Sequence, residues 1–182
     1  KSETISLALS AELPLVIVNV QRGGPSTGLP TKPEQSDLMF ALYGRHGESP
    51  LPVIAAKSPS HAFYAAYEAS RIALKYMTPV ILLSDNYVAT GSEPWNLPNI
   101  EELNNLDTNI ITKLNTEDGF LPFLRNVDTF ARPWALPGTP GLEYRVGGLE
   151  KEEGTGNVSY DAANHQYICL LYTSPSPRDT AI

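Results

Sequence analysis

An arginine and three glycines follow a long apolar stretch near the start of the chain, a combination that is typical of a loop that binds an anion. The apolar stretch is Leu-Val-Ile-Val-Asn-Val at residues 15–20, and Gln-Arg-Gly-Gly-Pro-Ser-Thr-Gly-Leu-Pro-Thr-Lys follows at residues 21–32. Because polar and apolar side chains do not alternate in residues 15–20, they predict a parallel strand that is buried on both faces. Ligands of open α/β sheets bind at the carboxyl ends of strands, so residues 21–32 are the first candidate site.

Arg22 is the residue of this loop best suited to bind a ligand. A guanidinium presents a planar fork of donors that matches a carboxylate or phosphate, and the glycines allow the backbone to approach closely. The alternative is an ordinary surface arginine beside a glycine turn. A P-loop is excluded, because Leu29 and Pro30 stand where that motif requires a lysine and a hydroxyl residue.

Further stretches of the chain carry a specific resemblance. They are Glu-Gln-Ser-Asp-Leu at 34–38, Ala-Leu-Tyr-Gly-Arg-His-Gly-Glu at 41–48 and Tyr-Met-Thr-Pro-Val-Ile-Leu-Leu-Ser-Asp at 76–85. Weaker ones lie at 137–141 and 155–161. Together with residues 18–32, they resemble the alpha subunit of the 2-oxoacid:ferredoxin oxidoreductases, most closely the 2-oxoglutarate type. The resemblance covers roughly residues 1–168.

This resemblance implies an enzyme that decarboxylates a 2-oxoacid, transfers electrons through an iron-sulfur cluster to ferredoxin, and forms an acyl-coenzyme A. It implies thiamine diphosphate shared with a beta subunit, magnesium and an iron-sulfur cluster held by that partner, and coenzyme A as co-substrate. Thiamine diphosphate carries the difficult chemical step, so the protein mainly positions the substrate. No metal site is expected in this chain.

The resemblance also assigns roles to individual residues. Arg22 aligns with the arginine that binds the carboxylate lost as carbon dioxide, and Thr31 lies at the substrate pocket. The other residues expected to bind substrate are Gly23, Gly24, Ser26 and Thr27. No catalytic residue is expected, because the glutamate that activates the cofactor lies upstream of Lys1 in the family. We therefore expect the chain to be inactive and marginally folded by itself.

A second loop, residues 43–48, contains Arg45 and His46. It follows a predicted helix and precedes a predicted strand, which in simple βαβ geometry places it at the opposite end of the sheet from the catalytic loops. A structural or interface role is therefore the first interpretation. The alternative is that Arg45 or His46 recognises the distal carboxylate of 2-oxoglutarate at a neighbouring subunit.

The pattern of residues 1–95 predicts an α/β fold, in which helices over 2–11, 33–42 and 58–77 alternate with strands over 15–20, 52–56 and 80–83. Ser58 and Pro59 are a typical helix start. Thr31 or Lys32 would lie near the start of the helix at 33–42, where free N–H groups favour anions. The resemblance identifies this unit as the second half of a thiamine-diphosphate pyrimidine-binding domain, a parallel sheet flanked by helices.

Residues 96–168 are predicted to be an irregular connector, with a short strand or turn at 121–125 and a short strand at 144–149. From Cys169 onward, the text Cys-Leu-Leu-Tyr-Thr-Ser-Pro-Ser-Pro-Arg-Asp matches the translation of a common sequencing adapter. We therefore predict that residues 169–182 are not native, as with a fusion remnant. The alternative is a Ser/Pro-rich flexible tail.

Composition narrows the possible functions. The first 58 residues hold five basic and five acidic side chains, and the whole chain has a net charge of −7. The lack of a basic stripe argues against nucleic-acid binding. No apolar run approaches the ~18 residues of a membrane helix. With Cys169 as the single cysteine, no disulfide framework is expected, which favours a cytoplasmic location.

Two hypotheses from different classes remain. The first is a subunit of a 2-oxoacid oxidoreductase, and the second is a non-catalytic assembly or regulatory subunit with the same fold. A positioned arginine before a glycine- and hydroxyl-rich loop favours the enzyme, because a purely structural subunit has no need of it. Pyruvate and branched-chain or aryl 2-oxoacids are rival substrates to 2-oxoglutarate.

Overall fold

The computed structural model describes residues 2–26 and 28–173, with side chains up to residue 169. Within this part of the chain, helices and strands alternate in the first half, as predicted for an α/β fold. The helices are α1 (Ser2–Ser10), α2 (Leu38–Tyr43), α3 (Pro59–Tyr76), α4 (Asn86–Thr90) and α5 (Ala162–Thr173). The strands are β1 (Leu15–Gln21), β2 (Val53–Ala55), β3 (Pro79–Asp85), β4 (Ile110–Ile111) and β5 (Trp134–Ala135).

Three parallel strands form the main sheet in the order β1-β3-β2, so β3 is central. All residues of β3 except Ser84 are buried. The prediction that β1 is buried on both faces is wrong, since Val18 is 57% and Val20 45% exposed. β1 is an edge strand of this sheet, and a strand with one neighbour is covered less well than a strand between two.

Helix α3 covers one face of the sheet and confirms the prediction for residues 58–77. The Ser58 hydroxyl accepts a hydrogen bond from the His61 N–H at 3.3 Å, Pro59 occupies the first turn, and the helix ends at Met77 in the left-handed conformation. Small alanines on its buried side pack closely against β3. Two of the three clusters of buried apolar residues in the described part of the chain lie on this face.

Helix α2 begins five residues later than predicted, at Leu38. The prediction of a helix from residue 33 is wrong because the preceding segment bonds to the sheet instead: the Gln35 side chain donates to Asp85, and the Asp37 N–H donates to the Gln21 side chain. Thr31 and Lys32 are therefore not at a helix N-terminus. Any affinity of this loop for anions must come from its own side chains and N–H groups.

The segment after residue 95 has little regular structure, as predicted. Its short elements are the parallel pair β4 and β5, a 3-10 turn at Ile100–Glu102, and isolated bridges between Phe123 and Gly154 and between Lys151 and Val158. The strand predicted at 144–149 is not formed. Helix α5 crosses the predicted boundary at residue 169, and the rest of the predicted non-native stretch, 174–182, lies outside the described residues.

A buried group of charges holds this segment against the end of α1. Both terminal nitrogens of Arg125 donate to the Glu12 carboxylate, at 2.9 and 2.7 Å. Arg132 donates to the Glu12 carbonyl at 3.1 Å, and Lys151 donates to the Ser10 carbonyl at 2.7 Å. All three cations also lie within 5.9 Å of the Phe123 ring centroid. The predicted connector is thus packed on the first half of the chain.

Candidate functional site

The candidate site lies at the carboxyl edge of the main sheet, where β1 and β3 end side by side. Gln21, the last residue of β1, pairs in register with Asp85, the last residue of β3. Gln21 is 6% exposed, and its side chain donates to the Ser84 carbonyl at 3.2 Å while accepting from the Asp37 N–H at 3.0 Å. The loop that leaves β1 at Arg22 is therefore tied back to the same edge before α2 begins.

Asp85 organises this edge from the other side. One carboxylate oxygen accepts from the Val88 N–H at 2.8 Å and so caps α4, and the other accepts from Gln35 Nε2 at 2.6 Å. The hydrogen bond from Gln35, and after it the bond from the Val88 N–H, lowers the pKa of Asp85 below its ordinary value of 3.8. The carboxylate is thus charged at neutral pH and has both oxygens engaged.

Bonds within the loop bring its two ends together. The Gly23 N–H donates to the Lys32 carbonyl at 3.3 Å, and the Gly24 N–H donates to Glu34 Oε2 at 3.1 Å. A Cβ on Gly28 would lie 2.3 Å from the Gly24 carbonyl oxygen, so no other residue fits there without a shift of backbone. Residues 22–26 and 28–32 therefore form a compact hook, in which residues 31–32 lie beside Gly23.

Arg22 stands at the start of this hook and is exposed. None of the described residues hydrogen-bonds to its guanidinium or forms an ion pair with it. At the carboxyl end of a parallel strand, a free guanidinium can receive a carboxylate in two parallel hydrogen bonds. Lys32 adds a second positive charge to the same loop.

The structure places the other predicted residues of this loop as follows. A Cβ on Gly24 would meet no atom within 4 Å, so its backbone faces open space. Ser26 and Thr31 are exposed and have left-handed φ angles of 56° and 60°. Thr27 lies outside the described residues. The structure therefore brings Arg22, Gly23 and Thr31 together in one loop.

The second loop is built differently. The Arg45 guanidinium donates to the carbonyls of Ala41 and Leu42 at the end of α2 and to that of Ser49, at 2.9 Å for each of the last two. This is the structural role that the sequence favoured. His46 is exposed, and its carbonyl accepts from the Ser49 hydroxyl at 3.3 Å. Recognition of a distal carboxylate by Arg45 or His46 stays a prediction.

Five polar side chains that hold the first loop were not predicted from the sequence: Asn19, Gln21, Gln35, Asp37 and Asp85. Asn19 Nδ2 donates to the Asp37 carboxylate at 2.9 Å and completes this set. A signal was available, since Gln21 and Asp85 are polar residues at the carboxyl ends of two apolar strands. Polar side chains at that position of a parallel sheet commonly serve a site.

The parallel sheet, its crossover helices and a glycine-containing loop at the carboxyl edge define an α/β unit. The family described as "Pyruvate flavodoxin/ferredoxin oxidoreductase, thiamine diP-bdg" matches residues 1–160. The chain belongs to this family of thiamine diphosphate-binding domains. The resemblance inferred from the motifs and the predicted fold class are thereby confirmed.

Similar proteins are subunits of oxidoreductases. A 2-oxoglutarate oxidoreductase subunit KorA of Mycobacterium tuberculosis is 52% identical over 94% of this chain, and a 2-oxoglutarate synthase subunit KorA of Archaeoglobus fulgidus is 46% identical over 56% of it. This chain spans 26% and 29% of the length of these relatives.

Among solved structures, a 2-oxoglutarate:ferredoxin oxidoreductase from Magnetococcus marinus, with 2-oxoglutarate, coenzyme A and succinyl-CoA bound, is similar to this chain. The TM-score is 0.81 and the identity is 33%, over 95% of this chain and 29% of that one. Within residues 2–26 and 28–173, no helix is long and apolar enough to cross a membrane, and no cluster of three acidic, histidine or cysteine side chains could hold a metal ion.

Proposed function

We propose that this chain carries the substrate-binding loop of a 2-oxoacid:ferredoxin oxidoreductase that acts on 2-oxoglutarate, and that Arg22 binds the 1-carboxylate of the substrate. The family match and the names of the relatives support the enzyme class and the substrate. The neighbouring solved structure contains 2-oxoglutarate and coenzyme A, which supports coenzyme A as co-substrate.

The exposed guanidinium of Arg22, to which no described residue hydrogen-bonds, is the observation that carries this proposal. It follows the last residue of β1, and the hydrogen bonds that fix the loop behind it use none of the donors of the guanidinium. A carboxylate held in two parallel hydrogen bonds has a fixed plane, so the bond that breaks on loss of carbon dioxide is oriented before the reaction begins.

The loop carries donors that fit a carboxylate substrate. Its side chains offer one guanidinium and one ammonium group as donors, and the open space beside Gly24 leaves room for a close approach. Thiamine diphosphate, when bound, supplies the sink for the electron pair that decarboxylation releases. We propose that this chain shares it with a beta subunit that holds magnesium and the iron-sulfur cluster and passes electrons to ferredoxin. A cytoplasmic location stays a prediction from the sequence.

Substitution of Arg22 in the assembled enzyme tests this function. Arg22→Ala leaves the substrate carboxylate unpaired, which costs about 2–5 kcal/mol and lowers kcat/KM by about 30-fold or more. Arg22→Lys retains the charge but loses the planar fork, so it recovers only part of the activity. Arg145 is exposed in the second half of the chain, and Arg145→Ala is the matched control. An unchanged kcat/KM for Arg22→Ala would contradict the proposal.

A further inference from the structure

We propose that the hydrogen bond between Gln35 and Asp85 is a latch that holds the Arg22 loop in its substrate-binding position, so that both are positioning residues. This inference rests on the proposed function of Arg22. It assigns to Asp85 and Gln35 an effect on substrate affinity, although neither residue needs to touch the substrate.

The latch has one buried side and one exposed side. Asp85 is 4% exposed and is held by β3 and by the hydrogen bond from the Val88 N–H to Oδ1. Its second oxygen, Oδ2, accepts from Gln35, which is itself exposed and belongs to the loop. One carboxylate therefore fastens the loop to the core of the sheet. Because the bond has a charged acceptor, it is stronger than a bond between neutral groups.

Hydrogen bonds must hold this loop because packing does not. Residues 24–26 and 28–36 are all exposed, so burial of apolar surface contributes little to their position. The other ties to the sheet, from Asn19 and Gln21, end at Asp37 next to α2. Gln35 is thus the point of attachment nearest to the hook itself.

The position of Gln35 is transmitted to Arg22 through two short links. Glu34, the neighbour of Gln35, accepts from the Gly24 N–H at 3.1 Å, and Gly24 is two residues from Arg22. The Lys32 carbonyl accepts from the Gly23 N–H and adds a second link. If Gln35 moves away from Asp85, Glu34 and Lys32 move with it. These two residues are the hydrogen-bond partners of Gly24 and Gly23, which directly follow Arg22.

A donor-acceptor exchange tests the latch in the assembled enzyme. Gln35→Glu sets two carboxylates against each other while Asp85 continues to cap α4. In the double variant Gln35→Glu/Asp85→Asn, the new amide donates to the new carboxylate and its oxygen still accepts from the Val88 N–H. Gln166 is exposed on α5, so Gln166→Glu is a control with the same chemical change.

For Gln35→Glu, we expect a higher KM for 2-oxoglutarate and a loss in kcat/KM of about ten- to a hundredfold. The reason is that the Arg22 guanidinium, which donates to the substrate carboxylate, is then misplaced. Hydrogen exchange of the Gly23 and Gly24 amides should become faster. The double variant should restore both quantities to within a few-fold of the wild type. A merely structural defect would lower the active fraction, and hence kcat, at an unchanged KM.

An unchanged KM and unchanged amide exchange in Gln35→Glu would overturn the latch, as would a double variant that recovers neither. An Arg22→Ala enzyme with wild-type kcat/KM would overturn the proposed function instead. In that case the exchange data alone decide on the latch: faster exchange in Gln35→Glu that the double variant reverses supports it, and unchanged exchange refutes it.

Discussion

Replacing Glu12 by glutamine removes the one carboxylate from a buried group of four charged residues. Glu12, Arg125 and Lys151 are each 6% exposed and Arg132 is fully buried. The Glu12 carboxylate contacts Arg125 at 2.9 and 2.7 Å and lies 3.8 Å from Arg132 Nε. Its loss leaves three cations whose remaining partners in the described part of the chain are backbone carbonyls, the Tyr144 hydroxyl and the rings of Phe123 and Tyr144. Removing one partner of a buried ion pair costs about 3–5 kcal/mol, a large part of the roughly 5–15 kcal/mol that stabilises a domain.

Amide hydrogen exchange measures this loss locally in the assembled enzyme. The Phe123 and Gly154 amides donate to each other's carbonyls at 3.0 and 3.1 Å, directly beside the charged group. A loss of about 3 kcal/mol would accelerate their exchange by about a hundredfold. Glu68→Gln, which breaks a partly exposed pair with Arg71 on α3, is the matched control and should cost about 0.5 kcal/mol or less. Equally small effects of both variants would refute the reasoning.

Two further predictions concern single side chains. Thr31→Val keeps the shape of the side chain and removes its hydroxyl, so KM should change by a factor equivalent to about 1 kcal/mol. If KM for each of several 2-oxoacids were the same in the variant and the wild type, contact between Thr31 and the substrate would be contradicted. The hydrogen bond to Glu150 raises the pKa of His165 above 6.5. The stabilisation from this contact is therefore complete below the unfolded-state pKa and is lost as the pH rises through the folded-state value. NMR titration of Glu150→Gln should show a lower pKa for His165, and an unchanged value would contradict this assignment.

Local patterns in the sequence predicted the elements whose structure depends on local chemistry. The start of α3 follows from Ser58 and Pro59, and the burial of β3 follows from its apolar run. The exposure of β1 could not be predicted, because side-chain type does not show whether a strand lies at the edge or the centre of a sheet. The late start of α2 depends on the hydrogen bonds that Gln35 and Asp37 form with residues distant in sequence, and these override the helical tendency of residues 33–37.

The same distinction applies to the candidate site. Arg22 and the glycines were predicted because the sequence order of strand, loop and helix is itself the signal. The residues that hold the loop were not, since the bond between Gln35 and Asp85 joins positions 50 residues apart. The buried ion pair between Glu12 and Arg125 joins positions 113 residues apart, and no local pattern indicates such a contact.

A structure of the assembled enzyme with bound 2-oxoglutarate tests the central claim most directly. We predict that the 1-carboxylate accepts two parallel hydrogen bonds from the Arg22 guanidinium, at about 2.7–2.9 Å, while Gln35 remains bonded to Asp85. A 1-carboxylate held by other side chains, with the Arg22 guanidinium still directed into solvent, would contradict the account.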